Sequence, residues 1–153
     1  MGRQDKQLVI YYKAFKFLLN TGLRSGELCN LTWDDVDLES GLLKIREKEG
    51  WSPKTYAREF YLNQESIELL KSFEGRENYV FKSFTGEQLD SDGLRRVLIR
   101  VTKAAEIQDF TRVHDLRHTF NSLMQMNGVD PATMARILGH KDIETTMIYT
   151  PDR

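Results

Sequence analysis

Cysteine is nearly absent from this chain. Its one example, Cys29, excludes an internal disulfide and suits a reducing compartment. Following Leu28 in a helical-looking run, that thiol reads as a small buried side chain. No apolar run reaches the roughly 18–20 residues of a membrane helix, and no signal-peptide layout opens the chain. The expectation is a cytoplasmic protein with no membrane partner. Excess positive charge is missing too: 22 Lys and Arg face 23 Asp and Glu, for a formal net charge of −1. A free-standing nucleic-acid binder usually carries more cations than that. Distribution partly offsets the balance, because residues 94–104 hold Arg95, Arg96, Arg100 and Lys103 with no acid among them. A solvated helix face would look the same.

Repeats and low-complexity segments are also lacking, so the 153 residues read as one domain, 1–153, with a single core. Leu8, Tyr11, Tyr12, Phe15, Leu18 and Leu19 recur at helical spacing and predict a helix over 5–21 that ends near Gly22. A short helix over Ser25–Leu31 follows. Leu42–Arg46 and Arg58–Leu62 read as strands of a small antiparallel sheet, with a third around Val36–Leu38. Helices are expected over Gln64–Phe73, Ser91–Ala105 and Thr111–Met126, with Tyr79–Phe81 a brief apolar segment between. Asp130-Pro131 opens another helix, running to Leu138 before Gly139, and Asp142 would cap a last one reaching Tyr149. The fold class is α+β, mainly helical.

Three segments concentrate chemistry-bearing residues. Thr21-Gly22-Leu23-Arg24-Ser25-Gly26-Glu27-Leu28 puts an arginine on a glycine-marked turn. His114-Asp115-Leu116-Arg117 puts a histidine and an arginine three residues apart, on one helical face. Leu138-Gly139-His140 is followed by Tyr149 after nine residues. A tyrosine nucleophile suits such a set. With a pKa near 10, only about one phenol in a thousand is ionised at pH 7, and a phosphodiester repels an anionic attacker. The site must accept the phenolic proton, neutralise the phosphate and protonate the leaving alkoxide. Two guanidinium forks, always charged, match the non-bridging phosphate oxygens.

Taken together, these segments resemble the catalytic domain of tyrosine recombinases, the phage-integrase and Xer-like family, over about Gln7 to Thr150. The stretch Thr21–Leu28 matches the family's T-G-L-R-x-x-E-L at every fixed position. The resemblance implies the tyrosine-recombinase catalytic-domain fold. It assigns Tyr149 as nucleophile, Arg24 and Arg117 as phosphate clamp, and His114 and His140 as proton-transfer or phosphate-bonding groups. It also places a lysine in a β-hairpin turn, to protonate the leaving 5′-oxygen: Lys54, with Lys48 as rival. Glu27 and Asp115 would be supporting acids that orient arginines or histidines. The basic run Arg95, Arg96, Arg100 and Lys103 would contact DNA. No cofactor or metal is implied. Double-stranded DNA at specific recombination sites is the implied partner, with four protomers on DNA in the full-length protein. The chain itself is expected to be an excised, monomeric catalytic domain without the family's N-terminal core-binding domain, and nucleoid-associated when bound to DNA.

Other readings compete. Arg24 could simply pair with Glu27 at a helix start, i to i+3. His114, His118 and His140 could form a three-histidine zinc site, although Asp115 breaks the H-E-x-x-H pattern and two nearby arginines oppose a dication. A catalytically silent DNA-binding module of the same fold, or a type IB topoisomerase that only relaxes DNA, would keep much of the same text.

Overall fold

The computed structural model describes residues 2–54, 56–108 and 112–139. Helix α1 (Arg3–Thr21) starts two residues earlier than its apolar periodicity indicates, because the Asp5 carboxylate accepts the Gly2 N–H at 3.2 Å. It stops at Gly22, whose φ of 70° is a left-handed conformation that glycine adopts freely. Helix α2 (Ser25–Cys29) is shorter than expected. The Asn30 side chain turns back onto the Gly26 carbonyl at 2.8 Å, and the Leu31 carbonyl is taken by the Val80 N–H.

A single 3₁₀ turn (Trp33–Asp35) leads into a three-stranded antiparallel sheet of order β1-β2-β3. Strand β1 is Val36–Asp37, β2 is Leu42–Ile45 and β3 is Arg58–Tyr61. The register pairs Val36 with Leu43, Leu42 with Tyr61 and Ile45 with Arg58. The third strand anticipated near Val36–Leu38 is therefore present but only two residues long. The hairpin joining β2 to β3 projects from the Ile45–Arg58 end.

Helices α3 (Gln64–Lys71), α4 (Ser91–Ala104), α5 (His114–Met126) and α6 (Pro131–Leu138) complete the described elements. The Asn63 side chain caps α3, Asp90 caps α4 and Asp130 caps α6, each accepting a backbone N–H of the first turn. Helix α5 begins at His114, inside the start expected at Thr111; Thr111 lies outside the described residues. The final helix expected from Asp142 to Tyr149 lies outside them as well.

The core gathers around α1. Ala14, Phe17 and Leu18 are fully buried with Leu28, Leu43, Leu70, Phe81 and Leu94, and the Phe17 and Phe81 rings lie 5.2 Å apart. Phe120, Met134 and Leu138 form a second cluster between α5 and α6. This is a mainly helical α+β domain with one small sheet. Among the described residues no helix is long and apolar enough to cross a membrane.

Candidate active site

Four segments distant in sequence converge on one cleft of about 530 Å³, lined by Arg24, Glu27, Trp51, Lys54, Ser91 and His114 among others. Arg24 enters from the turn between α1 and α2, and Lys54 from the β2–β3 hairpin. Ser91 is the first residue of α4, with its hydroxyl 3.1 Å from that of Ser25. His114 is the first residue of α5.

Arg24 is not paired with Glu27 as a helix-start ion pair. Glu27 Oε1 accepts the backbone N–H of Arg24 at 3.0 Å, while its charge is met by Arg58 through two bonds of 2.6 and 2.8 Å. Burial pushes the Glu27 carboxyl up, but those two bonds outweigh it and the net shift is downward, so the group stays ionised. The Arg24 Nε is buried with no hydrogen-bond partner among the described residues. An unsatisfied buried donor is costly, and an anion in the cleft would satisfy it.

Arg117 follows His114 by three residues on α5, and its side chain links the ends of two other helices. Its Nη1 donates to the Gly22 carbonyl at 2.5 Å and its Nη2 to the Leu138 carbonyl at 2.6 Å. The residue is 4% exposed. Arg117 thus joins the end of α1, next to Arg24, to the end of α6, where Gly139 takes a left-handed φ of 74°. His140 and Tyr149 lie outside the described residues, so their expected places in the site are not part of this geometry.

The two candidate lysines occupy different environments. Lys48 Nζ sits 2.5 Å from Asp35 Oδ2 and 3.1 Å from Thr32 Oγ1, and it also donates to the Asn30 carbonyl. Its side chain is only 16% exposed. Arg46 takes the other Asp35 oxygen at 2.5 Å. Lys54 is exposed and lines the cleft. The hairpin therefore has a base tied down by Lys48 and, farther along, an exposed lysine that reaches the cleft.

Asp115 is not among the residues that line the cleft. Its carboxylate accepts the Arg112 backbone N–H at 3.0 Å and meets the Arg112 guanidinium at 3.3 Å, at the entry to α5. Arg95, Arg96, Arg100 and Lys103 are all exposed on α4, away from the cleft lining, on the helix whose first residue reaches it. His114 and His118 meet edge to face with centroids 4.6 Å apart. Among the described residues no group of three His, Cys, Asp or Glu side chains is placed to share a metal ion. The Cys29 thiol is buried and pushed up to about 12 by that burial, and so is inert at neutral pH.

Burial holds the His114 pKa down to about 4, helped by His118, Arg117, Arg24 and Arg112. The imidazole is thus neutral at pH 7, able to accept a proton or donate one N–H. Because the folded value lies below the ordinary 6.5, the unfolded chain binds the extra proton first as pH falls. Stability should therefore drop as pH falls from about 6.5 towards 4, and be unaffected by this group above that window. An NMR titration of the His114 ring should show protonation near pH 4. Inorganic phosphate should move it upward by offsetting the three arginines. A midpoint near 6.5 without phosphate would contradict the burial argument.

Residue-by-residue reading of the sequence missed Arg58, Trp51 and Ser91. For Arg58 a signal was available. Alternation in β3 puts Arg58, Phe60 and Leu62 on one face, and an arginine on an inward strand face requires a buried acid.

Residues 3–153 match the model of the phage integrase family. Tyrosine recombinase XerA of Saccharolobus solfataricus is 35% identical over 137 residues, covering 88% of this chain and 43% of that protein. Tyrosine recombinase XerD of Listeria innocua is 34% identical over 157 residues, covering 98% and 50%. Among solved structures, a crystal structure of XerA recombinase aligns with a TM-score of 0.75 at 30% identity, covering 98% of this chain and 59% of that one. The Tn1549 transposon integrase in complex with circular intermediate DNA aligns with a TM-score of 0.80 at 26% identity, covering 94% and 56%. The chain spans about half the length of the curated relatives it matches.

Proposed function

Since this chain belongs to the phage integrase family, we propose that it is the catalytic domain of a tyrosine-type site-specific DNA recombinase. The observation that carries the reading is the cleft itself. Arg24, Lys54 and His114 come from three separate segments to one cavity, and the buried Arg24 Nε has no partner among the described residues. A guanidinium and an ammonium lining one cavity suit an anionic ligand rather than a neutral or cationic one.

In this mechanism Tyr149 attacks the scissile phosphate, forms a 3′-phosphotyrosyl bond and displaces the 5′-oxygen, which leaves as a hydroxyl after protonation by Lys54. Arg24, through its buried Nε edge, and Arg117 form the clamp that stabilises the growing charge on the non-bridging oxygens. Arg117 also fixes the ends of α1 and α6 around the site. Neutral His114 can take the phenolic proton or donate to the phosphate, and His140 would be a second donor. The same hydroxyl, or one from a partner duplex, reverses the step. The phosphate bond energy is retained in the tyrosyl ester, so neither ATP nor a metal ion is needed.

Double-stranded DNA at a specific recombination site is the proposed substrate. Arg95, Arg96, Arg100 and Lys103 on the exposed face of α4 would lie along its phosphates, a sequence-independent contact. The tetramer on two DNA sites and the cytoplasmic, nucleoid-associated location are part of the same proposal. The fold relatives include the Tn1549 integrase bound to DNA, which supports a duplex as partner.

The decisive experiment traps the covalent step. A nicked duplex carrying the recombination site of the encoding element is incubated with the protein in EDTA, then denatured. A resistant protein–DNA band is expected, with peptide mapping placing the nucleotide on Tyr149. Binding without any such band would leave a silent DNA-binding module. A band with relaxation of supercoils but no exchanged strands would indicate topoisomerase-like action.

A further inference from the structure

Arg58 has no part in the chemistry above, yet it is one of the most fully engaged cations among the described residues. Its side chain is 4% exposed. Nη1 donates to Glu27 Oε2 at 2.6 Å, Nη2 to Glu27 Oε1 at 2.8 Å, and Nε to the Ile137 carbonyl at 2.7 Å. One guanidinium therefore meets α2, across 31 residues, and the last turn of α6, across 79.

Its position matters because of what Glu27 would otherwise do. Glu27 is three residues from Arg24 on the first turn of α2, a spacing at which opposite charges attract. Both residues line the cleft. A Glu27 carboxylate without its own cation would draw the Arg24 guanidinium onto itself and cancel the charge that faces the cavity. In the structure both carboxylate oxygens are occupied by Arg58, and Oε1 additionally holds the Arg24 backbone N–H at 3.0 Å. Glu27 thus anchors the main chain of Arg24 without taking its side chain. A bidentate fork is the geometry that saturates both oxygens at once. For stability alone, a buried ion pair has little advantage over apolar residues of the same size.

The geometry points to Arg58 as a positioning residue that sequesters Glu27, so that the Arg24 guanidinium is left available for a phosphate in the cleft. This deepens the reading of that cleft as a phosphodiester-transfer site and rests on it. The same contacts set the return limb of the Lys54 hairpin against the end of α6, so the pair also fixes the relative placement of Lys54 and Arg24.

The test uses inorganic phosphate as probe, with the Arg24 Nε–Hε and His114 ring signals followed by NMR, alongside adduct formation on the nicked duplex. Arg58→Met should raise the phosphate dissociation constant about tenfold, as Arg24 turns to Glu27. Adding Glu27→Gln to Arg58→Met removes the competing charge and should bring it back within about threefold of wild type. A merely structural role predicts no such rescue. Phosphate binding by Arg58→Met equal to wild type, or a double variant as weak as Arg58→Met, overturns the proposal. If Arg58→Met does not fold, Arg58→Lys is read in its place. With one Glu27 oxygen released, the dissociation constant should rise about threefold, and no rise overturns the idea. Absence of adduct from wild-type protein, with the phosphate results as expected, would remove the recombinase reading while leaving the Arg58–Glu27–Arg24 relation intact.

Discussion

Arg24→Ala is expected to slow covalent adduct formation about a thousandfold, roughly 4 kcal/mol of transition-state stabilisation, while the protein stays folded. The two halves of this result have the same cause. Among the described residues no bond made by the Arg24 guanidinium holds the fold: its Nε is buried without a partner, and the turn of α2 is capped by Glu27 acting on the Arg24 main chain. Removing the side chain leaves that cap and the Glu27–Arg58 pair in place. The melting temperature should be unchanged or slightly higher, the behaviour of a residue kept for activity at some expense to stability. Arg24→Lys retains charge but not the planar fork, and should lose about a hundredfold. The measurement is single-turnover adduct formation at saturating duplex, with thermal melting alongside. A variant that melts well below wild type, or reacts within tenfold of it, would contradict this account.

Gly22→Ala should be the most damaging small substitution in the fold, by two separable effects. The backbone there is left-handed, at φ 70°, which disfavours any residue with a Cβ. An added Cβ would also come within 2.7 Å of Phe120 Cε1, closer still to Cδ1, and 3.0 Å from Leu138 Cδ2. Phe120 and Leu138 belong to the small core between α5 and α6, so the clash is with packed side chains. Strain of about 1 kcal/mol and overpacking of about 1–3 kcal/mol add to roughly 2–4 kcal/mol. In a domain of this size that lowers the melting temperature by about 5–15 °C. Gly50→Ala is the control. Its φ of 80° is equally left-handed, but among the described residues nothing lies within 4 Å of the added Cβ. It should therefore show the strain alone. Equal losses at the two positions would mean that packing at Gly22 contributes nothing. Gly22→Ala should also impair cleavage in excess of its stability loss, because Arg117 grips the Gly22 carbonyl.

Much of this architecture can be read from local chemistry. Helix α6 is marked at both ends, by Asp130-Pro131 and by Gly139, and runs as those residues indicate. The glycine stop of α1 is legible for the same reason: it is decided within a few residues. Helix α2 ends early where Asn30 puts both its backbone N–H and its side-chain amide on the Gly26 carbonyl and the Leu31 carbonyl turns to Val80, contacts that apolar periodicity does not register. What sequence left open depends on distant partners. A linear reading of the hairpin prefers Lys54 and keeps Lys48 as a rival. They separate only when Asp35, on another turn, is seen to take Lys48. Arg58 likewise acquires meaning from Glu27 and Ile137. The roles given to His140 and Tyr149 rest on spacing and family likeness, and the trapping experiment addresses them directly.

Lys48 on Asp35 and Arg58 on Glu27 grip the two limbs of one hairpin close to where it leaves the sheet. Between these grips the hairpin carries Trp51 and Lys54, which line the cleft. Changes of length there would leave the sheet undisturbed and shift the part of the cleft that Lys54 supplies. An engineer could thus move or exchange that one cation without rebuilding the machinery beneath it.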